Sequence, residues 1–436
     1  MFETLKNMFV VKDIRKKILY TIFIILLFRI GTYVTVPGIN KIAFVKAVET
    51  QASGILGTIN IISGGAFNRL SIFAMTISPY ITASIVLNLL QTVMPSLERL
   101  AKEGETGRQK LSKYTKFLTV AFAIVEAIGL YLNYKSYLLP AMSYGIYQVF
   151  GMILFVVCLT AGTALLMWLA DKITENGIGN GVSMIIFVGI VSGAPGAIAS
   201  LSAFASIRKL NILIVIAVVI AFIILLAGVI FVEQAERRIP VNYAKKVVGR
   251  KMYGGQNTHI PLKVAMAGVM PIIFAMSFMM IPATIIQLVT KGAATGFWGV
   301  VLKVCSASTE SIWYLVAYAV IYMILIVMFT FVYTMFTVNP VEMSNQLKQN
   351  GGFIPGIRAG KNTADYINKV LKNITWAGAL FLALVAVLPV ICQAAMPSIS
   401  ISFGGTSILI VVSVALETLK VLESQMVSRH YDGFLD

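Results

Sequence analysis

Long apolar runs separated by short polar stretches dominate the chain, and ten of them approach the roughly 20 helical residues needed to cross a hydrocarbon core of about 30 Å. They are Ile18–Val36, Leu70–Val93, Phe117–Leu132, Tyr147–Leu169, Val182–Ala205, Ile212–Val232, Val264–Leu288, Ile312–Phe336, Ile374–Ala394 and Ile401–Leu422. The pattern predicts an all-α membrane protein with ten transmembrane helices. Five crossings in residues 1–205 and five in 206–436 would make the second half run inverted to the first, an arrangement that places a transport pathway between the halves. No residue-level repeat accompanies the helix count.

One apolar segment breaks the pattern. Residues 54–68 are interrupted by Gly57, Asn60, Ser63, Gly64 and Gly65. A helix over Ile55–Ile62 would reach only about 12 Å at 1.5 Å per residue, too short to span. Backbone exposed by a Gly-Gly break must be enclosed by protein or face a water-filled cavity. The segment reads as a re-entrant plug in a pore or, alternatively, as a periplasmic surface helix.

Composition reinforces the membrane assignment: 58% of the 436 residues are hydrophobic and 12% charged, against roughly 45–50% and 25% in soluble domains. The net charge of +17 is distributed asymmetrically. Connections after odd-numbered runs hold Lys41, Lys46, Lys135, Arg208, Lys209, Lys291 and Lys303, whereas the other side carries the clusters Lys6–Lys17, Arg99–Lys116, Arg237–Lys251 and Lys348–Lys369. The positive-inside rule therefore puts both termini in the cytoplasm. The first run is too long for a signal-peptide core and lacks a small-residue cleavage site, so it is expected to remain in the mature protein.

Candidate chemistry is sparse. Cys158, Cys305 and Cys392 are far apart and form neither a disulfide framework nor a zinc pattern. No nucleophile, base and orienting acid occur together, GxxxxGK[ST] is absent, and no cofactor or enzymatic activity is expected. The ionisable residues at membrane depth are Arg29, Glu126 and Glu417, fewer than an ion-coupled transporter would bury. His259 and His430 fall in expected cytoplasmic segments.

Ile77 and Ile81 share a helix face at i and i+4, beside Thr76, Ser78, Thr82, Ser84 and Asn88. Those polar groups suit a gate or ordinary interhelical packing. Residues 237–251 alternate β-branched residues with cations and read as an exposed hairpin near Gly254-Gly255. It could meet ribosomal RNA, anionic headgroups or an acidic protein. Residues 350–361, rich in Gly and Pro with Arg358 at the tip, read as a rigid partner platform. A small-solute transporter would instead show a compact polar pocket at mid-membrane, and a scaffold would leave the broken segment unexplained.

Seven motifs in order give the chain an end-to-end resemblance to the SecY/Sec61-alpha family of protein-translocase channel subunits. They are Ser71-Ile-Phe-Ala with Pro79-Tyr-Ile-Thr-Ala-Ser84, Gly177-Ile-Gly-Asn-Gly181, Arg237-Arg-Ile-Pro-Val-Asn-Tyr-Ala244, Thr258-His-Ile-Pro-Leu-Lys-Val264, Gly351-Gly-Phe-Ile-Pro-Gly-Ile-Arg358, Gly404-Gly-Thr-Ser407 and Arg429-His-Tyr431. The resemblance implies two five-helix halves in a clamshell, hinged between the fifth and sixth helices and opening to lipid between the second and seventh. It implies a plug containing Ile55, Leu56, Ile59, Asn60, Ile62, Gly64 and Gly65, and a pore ring of Ile77, Ile81, Ile186, Ile273 and Ile410. It further implies a lateral gate lined by Thr82, Ser84, Asn88 and Ile281. Arg237, Arg238, Lys245, Lys246, Arg250, Lys251 and Arg358 would dock the SecA motor or the ribosome. The implied partners are SecE, SecG, SecA, the ribosome, signal peptides, nascent chains and anionic lipids, in a bacterial plasma membrane. Ala359, usually proline in that loop, and Met184, beside a ring position, depart mildly from the family pattern.

Overall fold

The computed structural model describes residues 11–50, 60, 63–139, 146–207, 209–243, 246–248, 251–253, 257–290, 296–305, 311–395 and 405–432. The first half contains α1 (Lys12–Gly31), α2 (Lys41–Thr50), α3 (Ser78–Val93), α4 (Pro95–Lys102), α5 (Glu105–Tyr134), α6 (Ile146–Asn176) and α7 (Gly181–Ile207). The second begins with α8 (Lys209–Gln234), followed by strands β1 (Glu236–Tyr243), β2 (Lys246–Val248), β3 (Lys251–Tyr253) and β4 (Asn257–Lys263). It continues with α9 (Met270–Thr290), α10 (Gly296–Cys305), α11 (Ile312–Thr337), α12 (Pro340–Gln349), β5 (Gly352–Phe353), α13 (Lys361–Ala395) and α14 (Gly405–Asp432).

Each apolar run coincides with one of these helices, and α5, α6, α8, α11 and α13 each contain a stretch long and apolar enough to cross a membrane. α8 shows why such helices need lipid: Ile216, Ile220, Ile223 and Ile224 are exposed along it, an arrangement water would penalise. α3 and α4 meet at a 104° bend. Pro95 opens α4 behind an extended Met94, which ends the preceding helix.

Two helix starts differ from the sequence expectation. The second run becomes helical at Ser78 rather than Leu70, with Pro79 in the first turn, where its missing N–H costs nothing. Residues 63–77 are instead a series of turns in which Leu70 and Thr76 take φ of 45° and 54°. Their backbone pairs with the chain leaving α1, through Val36 N–H to Leu70 O at 3.0 Å and Ile72 N–H to Val34 O at 2.9 Å. The seventh run starts at Met270 because β4 extends to Lys263 and turns follow.

Within the membrane body α5 packs on α3 and α6, α9 on α11, and α11 on α13, while α3 contacts α9 across the two halves. The largest core draws on α1, α3, α6, α7, α9, α11, α13 and α14. The Gly177–Gly181 turn between α6 and α7 is tight enough that a Cβ at Gly181 would lie 1.9 Å from the Ala170 carbonyl oxygen.

Candidate functional site

Four isoleucines from different parts of the chain converge in the main core. Ile77 precedes α3, Ile186 lies on α7, Ile273 on α9 and Ile410 on α14. Their exposures are 2%, 3%, 6% and 2%. Ile81, one helical turn beyond Ile77, packs against the same cluster while half-buried. The five residues thus belong to one apolar cluster drawn from both parts of the chain.

A cavity of about 440 Å³ has Ile186, Ile273 and Ile410 in its wall. Its other surfaces carry Glu233, Glu417, Lys263 and Lys420. Glu233 at the end of α8 accepts a hydrogen bond from the Ser413 hydroxyl on α14, tying the wall of the cavity together. Glu417, one of the ionisable residues expected at membrane depth, therefore lines this cavity. The second such carboxylate, Glu126, is hydrogen-bonded to Ser78 at the start of α3.

The broken segment is described from its C-terminal root. Ile55, Leu56, Ile59 and Ile62 lie outside the described residues. Gly65 N–H donates to Asn60 O at 2.9 Å, and Gly64 adopts φ of 62°, a left-handed conformation that favours glycine. Asn60 Oδ1 also accepts from Asn68 N–H at 3.1 Å, and Ser63 Oγ from Phe67 N–H at 3.1 Å. Arg29 on α1 completes the root by donating to Gly64 O at 3.1 Å and to Ser192 Oγ on α7 at 2.9 Å.

Along the seam between halves, Asn88 and Ile85 of α3 line a narrow gap with Phe274 of α9 and Phe329 and Tyr333 of α11. Phe274 meets Phe329 edge-on with centroids 6.0 Å apart. Thr82 and Ser84 on α3 and Ile281 on α9 are half-buried. Asn88 is therefore the one of these four residues that lines the gap.

Both basic loops belong to a single unit. β1 pairs with β4 from Glu236↔Lys263 to Asn242↔Asn257, and the same register continues in β2 and β3 to Val248↔Lys251. Glu236 and Asn257–Lys263 thus extend the paired residues beyond the 237–251 stretch read in the sequence. β5, from the second loop, pairs antiparallel with β1 through Asn242↔Phe353 and Tyr243↔Gly352. Ile239, Val241 and Leu262 share a core with Leu347, Ile354, Ile367 and Leu371 beneath this sheet.

Arg237, Arg238 and Arg358 are exposed on this unit. Arg238 Nε holds the Glu236 carboxylate at 2.7 Å, and the resulting hydrogen bond and charge keep that carboxyl below its ordinary pKa. The Arg358 turn is fixed by Thr363 Oγ1 donating to Arg358 O at 2.9 Å and Ser344 Oγ donating to Gly360 O at 2.7 Å. Lys246 and Lys251 sit on β2 and β3, whereas Lys245 and Arg250 lie outside the described residues. Among the described residues, no group of three or more His, Cys, Asp and Glu could hold a metal ion.

Sequence reasoning missed the Arg29–Ser192 contact and the joining of the two loops. Arg29 carried a signal, as a charge at membrane depth, but its partners are 35 and 163 residues away. The loop pairing gave only the weaker hint of a Gly-Phe-Ile-Pro stretch that can add a strand.

The SecY family model matches residues 71–419. A protein named protein translocase subunit SecY from Streptomyces scabiei is 43% identical, with 100% of both chains covered. A solved structure described as a protein-conducting channel superposes with a TM-score of 0.67 at 20% identity, covering 95% of this chain and 93% of that one. Sec61 in a canine ribosome–channel complex from the endoplasmic reticulum gives a TM-score of 0.63 at 18% identity, with 95% and 93% covered.

Proposed function

The chain belongs to the SecY family, and from that membership we propose that it forms the protein-conducting channel of a bacterial translocase. It passes unfolded secretory polypeptides across the plasma membrane and releases transmembrane segments sideways into lipid. Both termini face the cytoplasm, ten helices cross in two inverted halves, and SecE and SecG complete the membrane complex.

The observation that carries this reading is the convergence of Ile77, Ile186, Ile273 and Ile410 beneath a charged vestibule. Branched apolar side chains can close around an extended peptide without offering it a fixed hydrogen-bonding partner, so the ring serves many sequences. A polar solute site would instead supply matched donors and acceptors at the narrow point.

A signal sequence entering between α3 and α9 exchanges its own apolar surface for theirs and favours the parted state. The Asn88 seam and the half-buried Thr82, Ser84 and Ile281 support that route. The plug segment then leaves the constriction. SecA or the ribosome binds through Arg237, Arg238, Arg358 and the cations of the long hairpin, while anionic lipids neutralise the remaining basic surface. The chain is a conduit rather than an enzyme.

Replacing both Ile186 and Ile410 by serine tests the ring. Reconstituted vesicles should become leaky to small ions in the absence of substrate; a leak equal to that of the unaltered chain would overturn the assignment.

A further inference from the structure

A second cavity, of about 380 Å³, lies between α11, α12 and the first half of α13 and shares no lining residue with the first. Its volume is within the range of small-molecule pockets. Phe331, Met335 and Val338 form its apolar side, whereas Asp365, Asn368 and Lys372 form its polar side. Met335 is 66% exposed, so the apolar side opens toward the surroundings of the helix bundle.

Polarity is ordered along α13. Trp376, 52% exposed, meets Phe331 edge-on with centroids 5.2 Å apart, a placement typical of the membrane–water boundary. Lys372 is one turn outward from it. Asp365 lies about 10 Å beyond Lys372 along the helix and only about 20° from it around the axis. Both charged side chains are exposed, and among the described residues no ion pair engages either one.

From this order we infer that the cavity binds a diacyl phospholipid whose headgroup carries a primary ammonium, of the phosphoethanolamine class. Acyl chains lie against Phe331 and Met335, and the phosphate is held by Lys372. The ammonium, which projects farther from the bilayer than the phosphate, reaches Asp365 and the Asn368 amide oxygen. A headgroup with phosphate as its only charge would satisfy Lys372 but face the Asp365 carboxylate without a cation. A trimethylated choline would satisfy the charges but has no N–H to donate to either acceptor.

The inference rests on the proposed topology, which sets the Lys361 end of α13 at the cytoplasmic surface. That premise has its own test: Asn362→Cys should react with a membrane-impermeant thiol reagent from the cytoplasmic side only, and reaction from the opposite side alone would remove the topology.

The lipid itself is tested by native mass spectrometry of the complex after exchange into an equimolar mixture of phosphatidylethanolamine, phosphatidylglycerol and phosphatidylcholine. Phosphatidylethanolamine should be retained in preference. Lys372→Gln should reduce its retention roughly tenfold, and Asp365→Asn should abolish the preference over phosphatidylglycerol. Equal retention of the three lipids by the unaltered chain, or a preference unchanged in both variants, would overturn the inference.

Discussion

Arg29 and Gly64 are joined by a hydrogen bond of 3.1 Å from the guanidinium Nη1 to the glycine carbonyl, although one lies on a long apolar helix and the other in a turn. The same nitrogen reaches Ser192 Oγ at 2.9 Å. A half-buried cation at the end of an apolar helix is costly unless its donors are engaged. Here that requirement links α1, the root of the broken segment and α7 at one point.

Arg29→Met should therefore loosen the closed channel. Hydrogen bonds from charged groups contribute about 1.5–3 kcal/mol, so losing them from the closed state alone would raise the open fraction by roughly tenfold or more. Ion flux through reconstituted vesicles measures this, and Arg29→Lys, which keeps the charge without the guanidinium fork, should give an intermediate value.

Gly64→Ala and Gly65→Ala separate steric from conformational effects. Both positions have left-handed φ, 62° and 84°, and a non-glycine residue there costs about 1–2 kcal/mol. At Gly64 the new Cβ would also lie 2.6 Å from Ser192 Oγ and 2.8 Å from Arg29 Nη1, whereas Gly65 has open space within 4 Å. Thermal unfolding and ion leak should both show the larger change for Gly64→Ala.

Ile367 is fully buried beneath the sheet formed by β1, β4 and β5. Ile367→Ala should cost about 2–5 kcal/mol locally and expose both loops together to limited proteolysis, since β5 and β1 share that core. Arg358→Glu, at an exposed turn, should leave proteolysis unchanged and reduce SecA-driven export.

Much of this organisation was legible in the sequence because apolar run length responds to one strong constraint, the thickness of the bilayer. Each run coincides with a helix, and four ring isoleucines named through the family resemblance share one buried core. Helix starts were less legible where backbone pairing overrides hydrophobicity, as at Leu70–Ile72 against Val34–Val36. Contacts such as Glu233 with Ser413, 180 residues apart, depend on how helices are arranged and leave no local pattern. The strand supplied by Gly352-Phe353 was obscured for a related reason: two residues are too few to show a period.

The proposed passage of polypeptide between Ile77, Ile81, Ile186, Ile273 and Ile410 is tested most directly at Ile81. In a chain with Cys158, Cys305 and Cys392 replaced, a single cysteine at Ile81 should crosslink to a stalled export substrate, while one at Ile224, 66% exposed on α8, should not. Equal crosslinking at the two positions, or none at Ile81 with a substrate demonstrably stalled, would contradict the account.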